Sequence, residues 1–67
     1  MEVYRMLTGK DDSAFCHRVT AALNNGWELY GPPTLTFNAK TGDVICGQAI
    51  RKSVPGTYTP ALKLGEL

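Results

Sequence analysis

Cys16, His17 and Cys46 are the side chains of this 67-residue sequence that could act as a nucleophile, a base or a metal ligand. A cysteine nucleophile needs a base within hydrogen-bond reach and a third group that orients the base. Cys16 and His17 are consecutive, so a helix would point their side chains about 100° apart. No second closely spaced ligand pair completes a zinc site. The spacing therefore predicts neither a catalytic cysteine nor a metal site, and we expect no cofactor.

The carboxylates show no pairing that is typical of general acid–base catalysis. Asp11 and Asp12 precede a predicted helix, where acidic side chains cap the first turn, and Asp43 lies in a predicted turn. The segment GKDD lacks the glycine spacing and the Lys-Ser/Thr pair of a phosphate-binding loop. We therefore expect a protein that is not an enzyme. The remaining acids stand alone in the sequence: Glu2, Glu28 and Glu66.

A binding function is better supported by the residue types. Aromatic rings offer stacking surfaces, guanidinium groups bind phosphate, and a glutamine in a half-buried strand offers an amide. We predict a cleft between the subunits of a small oligomer, holding a nucleotide-like or other phosphorylated ligand. In the alternative interpretation the aromatic residues form the core, the cations are solvated, and the protein is an interaction module without a small ligand. The predicted ligand-binding residues are Tyr4, Arg5, Trp27, Tyr30, Gln48 and Arg51.

One helix is predicted from apolar residues at helical spacing. It should begin at Asp11, Asp12 or Ser13, any of which could cap it, and end at Asn24, Asn25 and Gly26, where Gly26 suits a left-handed cap. Trp27 follows directly and either anchors the helix-to-sheet corner or stacks on a ligand. We place the centre of the helix–sheet interface on the apolar stripe, including its last leucine. The stripe consists of Phe15, Cys16, Val19, Ala22 and Leu23.

Three strands complete the predicted domain. The first covers residues 2–8, and the second begins as WELY, is interrupted at GPP and resumes as TLTF. Two prolines cannot donate to a central ladder, so the second strand should be a kinked edge strand. The third strand covers residues 44–52 after the turn NAKTGD.

The order of these elements predicts an α+β fold of β-α-β-β type. The three-stranded antiparallel sheet should have the order first, third, second strand, with the helix on one face. Residues 1–52 form the predicted domain. Residues 53–67 form a predicted tail or arm, because prolines and glycines interrupt any long helix there.

The third strand has apolar residues on both faces, and one helix covers only one of them. We therefore expect a homo-oligomer, a dimer or higher, built on the sheet face away from the helix. In this interpretation the tail crosses to the partner, and the Gln48 side chain bonds across the interface between subunits.

Charge and composition limit the other partners. The formal net charge is +1, so no electrostatic footprint for nucleic acid or an anionic membrane exists. No apolar run approaches the ~20 residues of a membrane span, and the start of the sequence does not resemble a secretion signal. Two cysteines are too few for a disulfide scaffold of this size. We expect a cytoplasmic protein with reduced thiols.

Three segments of the sequence carry a family resemblance: VYRML, NNGWELYGPPTL and CGQAIRK. Together they are similar to a small bacterial and phage family, domain of unknown function 1737, over Val3 to Lys52. The resemblance implies a compact α+β unit without an established activity. It carries over no catalytic residue. Phage proteins that sequester a host signal would need the ligand-holding oligomer that we predict. The positions that match the family are Tyr4, Gly26, Trp27, Gly31, Cys46, Gln48 and Ala49.

Overall fold

The computed structural model describes all 67 residues and confirms the α+β class. The elements in chain order are β1 (Glu2–Lys10), α1 (Ser13–Asn24), β2 (Glu28–Leu29), β3 (Thr34–Asn38), β4 (Asp43–Ser53) and a 3₁₀ turn (Leu64–Glu66). The predicted kinked strand is present as two strands, β2 and β3, so the antiparallel sheet has four strands rather than three. None of the helices of the protein has the length and apolar character that crossing a membrane requires.

Strand β4 is the centre of the sheet. Strand β1 pairs with it in antiparallel register from Glu2 opposite Ser53 to Lys10 opposite Ile45. Strands β2 and β3 both pair with its other edge. The predicted order of first, third and second strand is therefore confirmed. Strand β1 is two residues longer than predicted because Gly9 and Lys10 continue the ladder with β4.

The kink between β2 and β3 lies opposite Gln48 of β4. The Tyr30 N–H donates to the Ala49 carbonyl, and Thr34 pairs with Gly47, so residues 31–33 oppose the single residue 48. Gly31 adopts a φ of 76°, and the two prolines that follow it have no N–H for the ladder. The kinked side therefore has two more residues than β4 over this stretch. Because two is an even number, the side chains of β3 point to the same faces as they would without the kink.

Both ends of helix α1 are capped as the sequence predicts. Asp12 is the N-cap, and its side chain accepts a hydrogen bond from the Phe15 N–H at 3.1 Å. At the other end Trp27 donates its N–H to Ala22 and Gly26 donates to Leu23, with Gly26 at a φ of 89°. This is a Schellman motif. The turn directs the Trp27 ring back into the core, where only 3% of it is exposed.

The core lies between helix α1 and the sheet. Within the helix stripe, Phe15, Val19 and Ala22 pack inward, whereas Cys16 and Leu23 are exposed. The prediction that Leu23 lies at the centre of the interface is therefore wrong, since 43% of it is accessible. The helix packs through one side of the predicted stripe, which leaves the other side to solvent. The buried cluster is formed by Val3, Leu7, Ala22, Trp27 and Ile50.

The C-terminal segment, residues 54–67, packs on the same side of the sheet as the helix. Val54, Leu64 and Leu67 contact the buried cluster. The Lys52 ammonium donates to the backbone oxygens of Asn25 and Leu67 at 2.8 and 2.6 Å. The segment predicted as a tail or arm is thus folded onto the core of its own chain, and it leaves the opposite face of the sheet uncovered.

Helix α1 is too short to cover even one face of the sheet. Its 12 residues span about 18 Å, whereas the 11 residues of β4 span about 36 Å. The β3–β4 hairpin therefore extends beyond the helix and gives the molecule a long axis of 42 Å. On the helix side of this hairpin Leu35, Phe37 and Val44 remain exposed.

The location of the core leads to a prediction about two leucines that receive the same substitution. Leu7→Ala should lower the free energy of unfolding by about 2 to 5 kcal/mol, since Leu7 is buried. Leu23→Ala should lower it by less than about 1.5 kcal/mol because much of its surface already faces water. Urea unfolding measures both, with exposed His17→Ala as the control that should be silent. Equal losses for the two leucines would contradict this location of the core.

Candidate functional site

The six predicted ligand-binding residues lie on two opposite faces of the sheet. Successive residues of a strand point to opposite faces, so Tyr4 and Arg5 of β1 cannot meet the same ligand. Tyr4 shares its face with its cross-strand partner Arg51 and with Tyr30. The other three residues lie on the helix side: Arg5, Trp27 and Gln48. The structure therefore divides the predicted site into two candidate surfaces.

The first surface is the sheet face away from the helix, which we call the open face. Tyr4, Met6 and Tyr30 are large hydrophobic residues, yet they are 53%, 49% and 50% exposed on this face. Ile45 and Ala49 of β4 lie on the same face and are half-buried. Neither the helix nor the C-terminal segment covers these side chains.

The centre of the open face contains the small residues Gly47 and Ala49 of β4, and the side chains of Thr34 and Met6 lie over Gly47. A Cβ on Gly47 would lie 2.8 Å from the Thr34 hydroxyl oxygen and 3.7 Å from the Met6 methyl group. Real Cβ atoms do not approach that closely, so position 47 accepts only glycine without movement of Thr34.

Charges of both signs lie at one end of the open face. The Arg51 guanidinium lies over the Tyr30 ring, 5.0 Å from its centroid. Glu28 is the cross-strand partner of Arg51, and Glu2 lies nearby. Arg51, Glu2 and Glu28 line the same polar pocket, together with Gly26, Lys52 and Ser53. Two carboxylates and two cations, Arg51 and Lys52, therefore line this pocket.

The second surface is a cleft on the helix side, which we call the arginine cleft. It has a volume of about 280 Å³ and lies between β1, helix α1 and the C-terminal segment. Of the predicted residues, Arg5 and Trp27 line it. The Arg5 guanidinium lies 5.8 Å from the centroid of the Trp27 ring, and the Lys52 ammonium lies 5.5 Å from it. The other residues of the cleft are Leu7, Arg18, Ala21, Ala22, Asn25 and Gly65.

Trp27 is an anchor of the helix-to-sheet corner rather than an open stacking platform. It belongs to the buried cluster, and only an edge of its ring can contribute to the arginine cleft. Arg18 and Asn25 were outside the predicted set of six. Arg18, Ala21, Ala22 and Asn25 recur at i, i+3, i+4 and i+7, so helical spacing alone could have placed them on one stripe.

Gln48 supports the fold and belongs to neither surface. Its side-chain amide donates to the Gly31 carbonyl at 3.1 Å and to the Ala49 carbonyl at 2.9 Å. The residue is 5% exposed and lies on the helix side of the sheet, opposite the kink. The amide therefore holds the kinked edge strand to β4. It does not bond across an interface on the open face, contrary to the prediction.

The two thiols and the histidine lie in different environments. Cys46 is buried, and its Sγ donates to the Gly9 carbonyl at 3.4 Å. Burial raises the pKa of the Cys46 thiol, and the Asp11 carboxylate adds to this effect. Cys16 and His17 are exposed on the helix. No three His, Cys, Asp or Glu side chains are grouped to hold a metal ion.

The hydrogen bonds of Gln48 lead to a stability prediction. Gln48→Glu replaces the amide donor with a buried carboxylate that faces two carbonyl oxygens, so we expect a loss of about 1 to 3 kcal/mol in unfolding free energy at neutral pH. Burial among carbonyl oxygens should raise the pKa of the introduced carboxyl group above its ordinary value of about 4.3. The part of the loss that comes from the charge should therefore shrink as the pH falls from that raised value to about 4.3. Urea unfolding at neutral pH and at about pH 4 measures the loss in unfolding free energy under the two conditions. Gln48→Met is the control, since it loses the donor without gaining a charge. A loss that is independent of pH in Gln48→Glu would contradict the assignment.

The two thiols should differ in reactivity. A folded-state pKa above the ordinary thiol value of about 8.5 keeps Cys46 protonated through neutral pH, and its contribution to stability is lost only as the pH rises through the raised value. Iodoacetamide at about pH 8 should therefore alkylate Cys16 alone in the folded protein. Intact-mass analysis counts the adducts, with urea-unfolded protein as the control in which both thiols react. Rapid double alkylation of the folded chain would contradict the burial of Cys46.

One family profile matches the chain. The family described as "Domain of unknown function (DUF1737)" matches residues 1–53, which include the helix and every strand. No curated protein and no solved structure matches the chain. The match ends at Ser53, the last residue of β4, so the family unit is the helix and sheet.

Proposed function

The chain belongs to the DUF1737 family, and on that premise we propose that it is a non-enzymatic binding protein that self-associates through its open face. The observation that carries this proposal is the set of large, half-exposed side chains on that face: Tyr4, Met6 and Tyr30. Contiguous apolar surface of this kind marks interaction sites in small soluble domains. The chain has no second layer of its own to place there, since its helix and its C-terminal segment both lie on the other side of the sheet.

A second copy of the chain is the partner that the open face fits best. The face combines apolar side chains with charges of both signs, so it favours neither a basic nor an acidic macromolecule. A twofold axis brings the same patch of each subunit together, and a patch that holds both signs of charge can be complementary to itself. Met6 of β1 and Thr34 of β3 pack over Gly47 at the centre of the face, so the facing subunit would meet the Met6 side chain there.

A ligand between the subunits is the second candidate function. Arg51, Tyr30 and Tyr4 lie together on the open face, and a twofold axis would present them twice in one cleft. A guanidinium and two phenol rings suit a phosphorylated, nucleotide-like molecule. The interaction module without a ligand is favoured by Glu2 and Glu28, whose negative charges lie beside Arg51. A cytoplasmic location is part of the proposal, and it is supported by two free cysteines.

If the chain self-associates through its open face, one charged substitution on that face should shift the protein towards the monomer. Met6→Glu places a charge in the centre of the proposed interface, so it should weaken the dimer by at least about tenfold. Leu23→Glu is the matched control, because it introduces the same charge at a similarly exposed residue on the helix side. Sedimentation equilibrium at micromolar concentration measures both. A monomer of 7.3 kDa for the parent chain, or equal association of the two variants, would reject the proposal.

The intersubunit ligand has a separate test. Native mass spectrometry of the purified protein reports the number of subunits and the mass of any retained ligand. If a phosphorylated ligand is held there, Arg51→Gln should lose it while the protein remains a dimer, because the apolar part of the interface is unchanged. Retention of the ligand by Arg51→Gln would exclude this site, and a ligand-free dimer of the parent chain would favour the interaction module.

A further inference from the structure

The arginine cleft contains two arginine side chains that form no ion pair. Its lining includes the guanidinium groups of Arg5 and Arg18 and no acidic side chain. The one ion pair of the chain joins Lys10 to Asp43, at 3.7 Å, so neither arginine has a carboxylate partner. Glu66 follows the lining residue Gly65 and forms no ion pair. The cleft is therefore positively charged, although the whole chain has a formal net charge of only +1.

The two arginines are held in place by contacts that leave donors free. Arg18 donates through Nη1 to the Thr8 carbonyl at 2.7 Å, which fixes its guanidinium at the end of β1. Arg5 lies against the Trp27 ring. A guanidinium has five N–H donors, so each side chain retains several that can bind an anion. This preorganisation lowers the entropy cost of binding.

The floor and rim of the cleft differ in chemistry. The floor is apolar and is formed by Leu7, Ala22 and the accessible edge of Trp27, while Ala21 and Asn25 lie on the helix beside it. The C-terminal segment closes one side at Gly65, whose added Cβ would lie 3.8 Å from Arg5 Nη2. Small-molecule sites commonly combine an apolar floor with a few convergent polar groups.

We propose that the arginine cleft binds a small organic anion, with an apolar or aromatic body on its floor and a phosphate or carboxylate group at Arg5 and Arg18. The cleft lies on the opposite side of the sheet from the open face, so this site does not depend on self-association. Its volume of about 280 Å³ lies close to the lower end, about 300 Å³, of small-molecule sites.

Phenyl phosphate and benzoate are suitable probes, because they share the aromatic body and differ in the anion. Benzyl alcohol tests the body without charge, and inorganic phosphate tests the charge without the body. Trp27 is the only tryptophan, so its fluorescence and its indole N–H resonance report directly on the cleft. We expect at least one aromatic anion, added at millimolar concentration, to give saturable shifts at Trp27 and Ala21. Benzyl alcohol and inorganic phosphate should each bind at least about tenfold more weakly.

Two pairs of variants separate the proposed site from general charge effects. Arg18→Gln should weaken binding of the aromatic anion by about tenfold, whereas Lys40→Gln, the same charge change in the distant hairpin turn, should leave affinity within about twofold. Ala21→Glu should abolish binding by placing a carboxylate at the rim, and Ala21→Gln should retain most of it. Ala21 is exposed, so both of its variants should fold. Absence of saturable shifts with both aromatic anions, or equal affinity of Arg18→Gln and Lys40→Gln, would overturn the proposal.

Discussion

The structure depends on one constraint: a single helix of 12 residues must cover a sheet whose central strand is about twice as long as the helix. The helix can bury part of one face only. Consequently the core is confined to a small cluster around Ile50, which is fully buried. A chain of this size buries only about 60% of the surface that its unfolded state exposes. The uncovered apolar side chains on both sides of the sheet are the direct result.

Two local features, a turn and the C-terminal segment, enlarge the core. The Schellman turn at Gly26 returns Trp27 to the sheet, so the largest side chain fills the corner that the short helix leaves. The C-terminal segment then adds Leu64 and Leu67 beside it, held by Lys52 and Asn25 at the end of the helix. Both features add apolar side chains to the helix side of the sheet. The imbalance between the two faces is the physical basis for proposing a partner on the open face.

The alternation of strand β1 separates two kinds of binding chemistry. Its even-numbered residues bring Tyr4 and Met6 to the open face, where apolar surface and charges of both signs suit a second protein surface. Arg5, on the other side, lines together with Arg18 a cleft without acidic side chains, and the proposed anion site rests on this lining. These two surfaces are the basis of the two separate binding proposals. The Cys46 thiol is buried, and His17 is exposed on the helix.

The sequence by itself determined the elements, because local chemistry decides them: Asp12 and Gly26 cap the helix, and two prolines force the edge strand to kink. It also determined the strand order, since alternation and a short turn leave few arrangements.

Only the tertiary structure decided which groups meet. The six predicted site residues were grouped by type, but strand alternation sends Tyr4 and Arg5 to opposite faces. The burial of Leu23 was predicted from helical period alone, which gives a stripe but not the part of it that contacts the sheet. The role of Gln48 depended on a carbonyl 17 residues away in the chain. Contacts of that kind are set by packing between elements, which the local sequence does not encode.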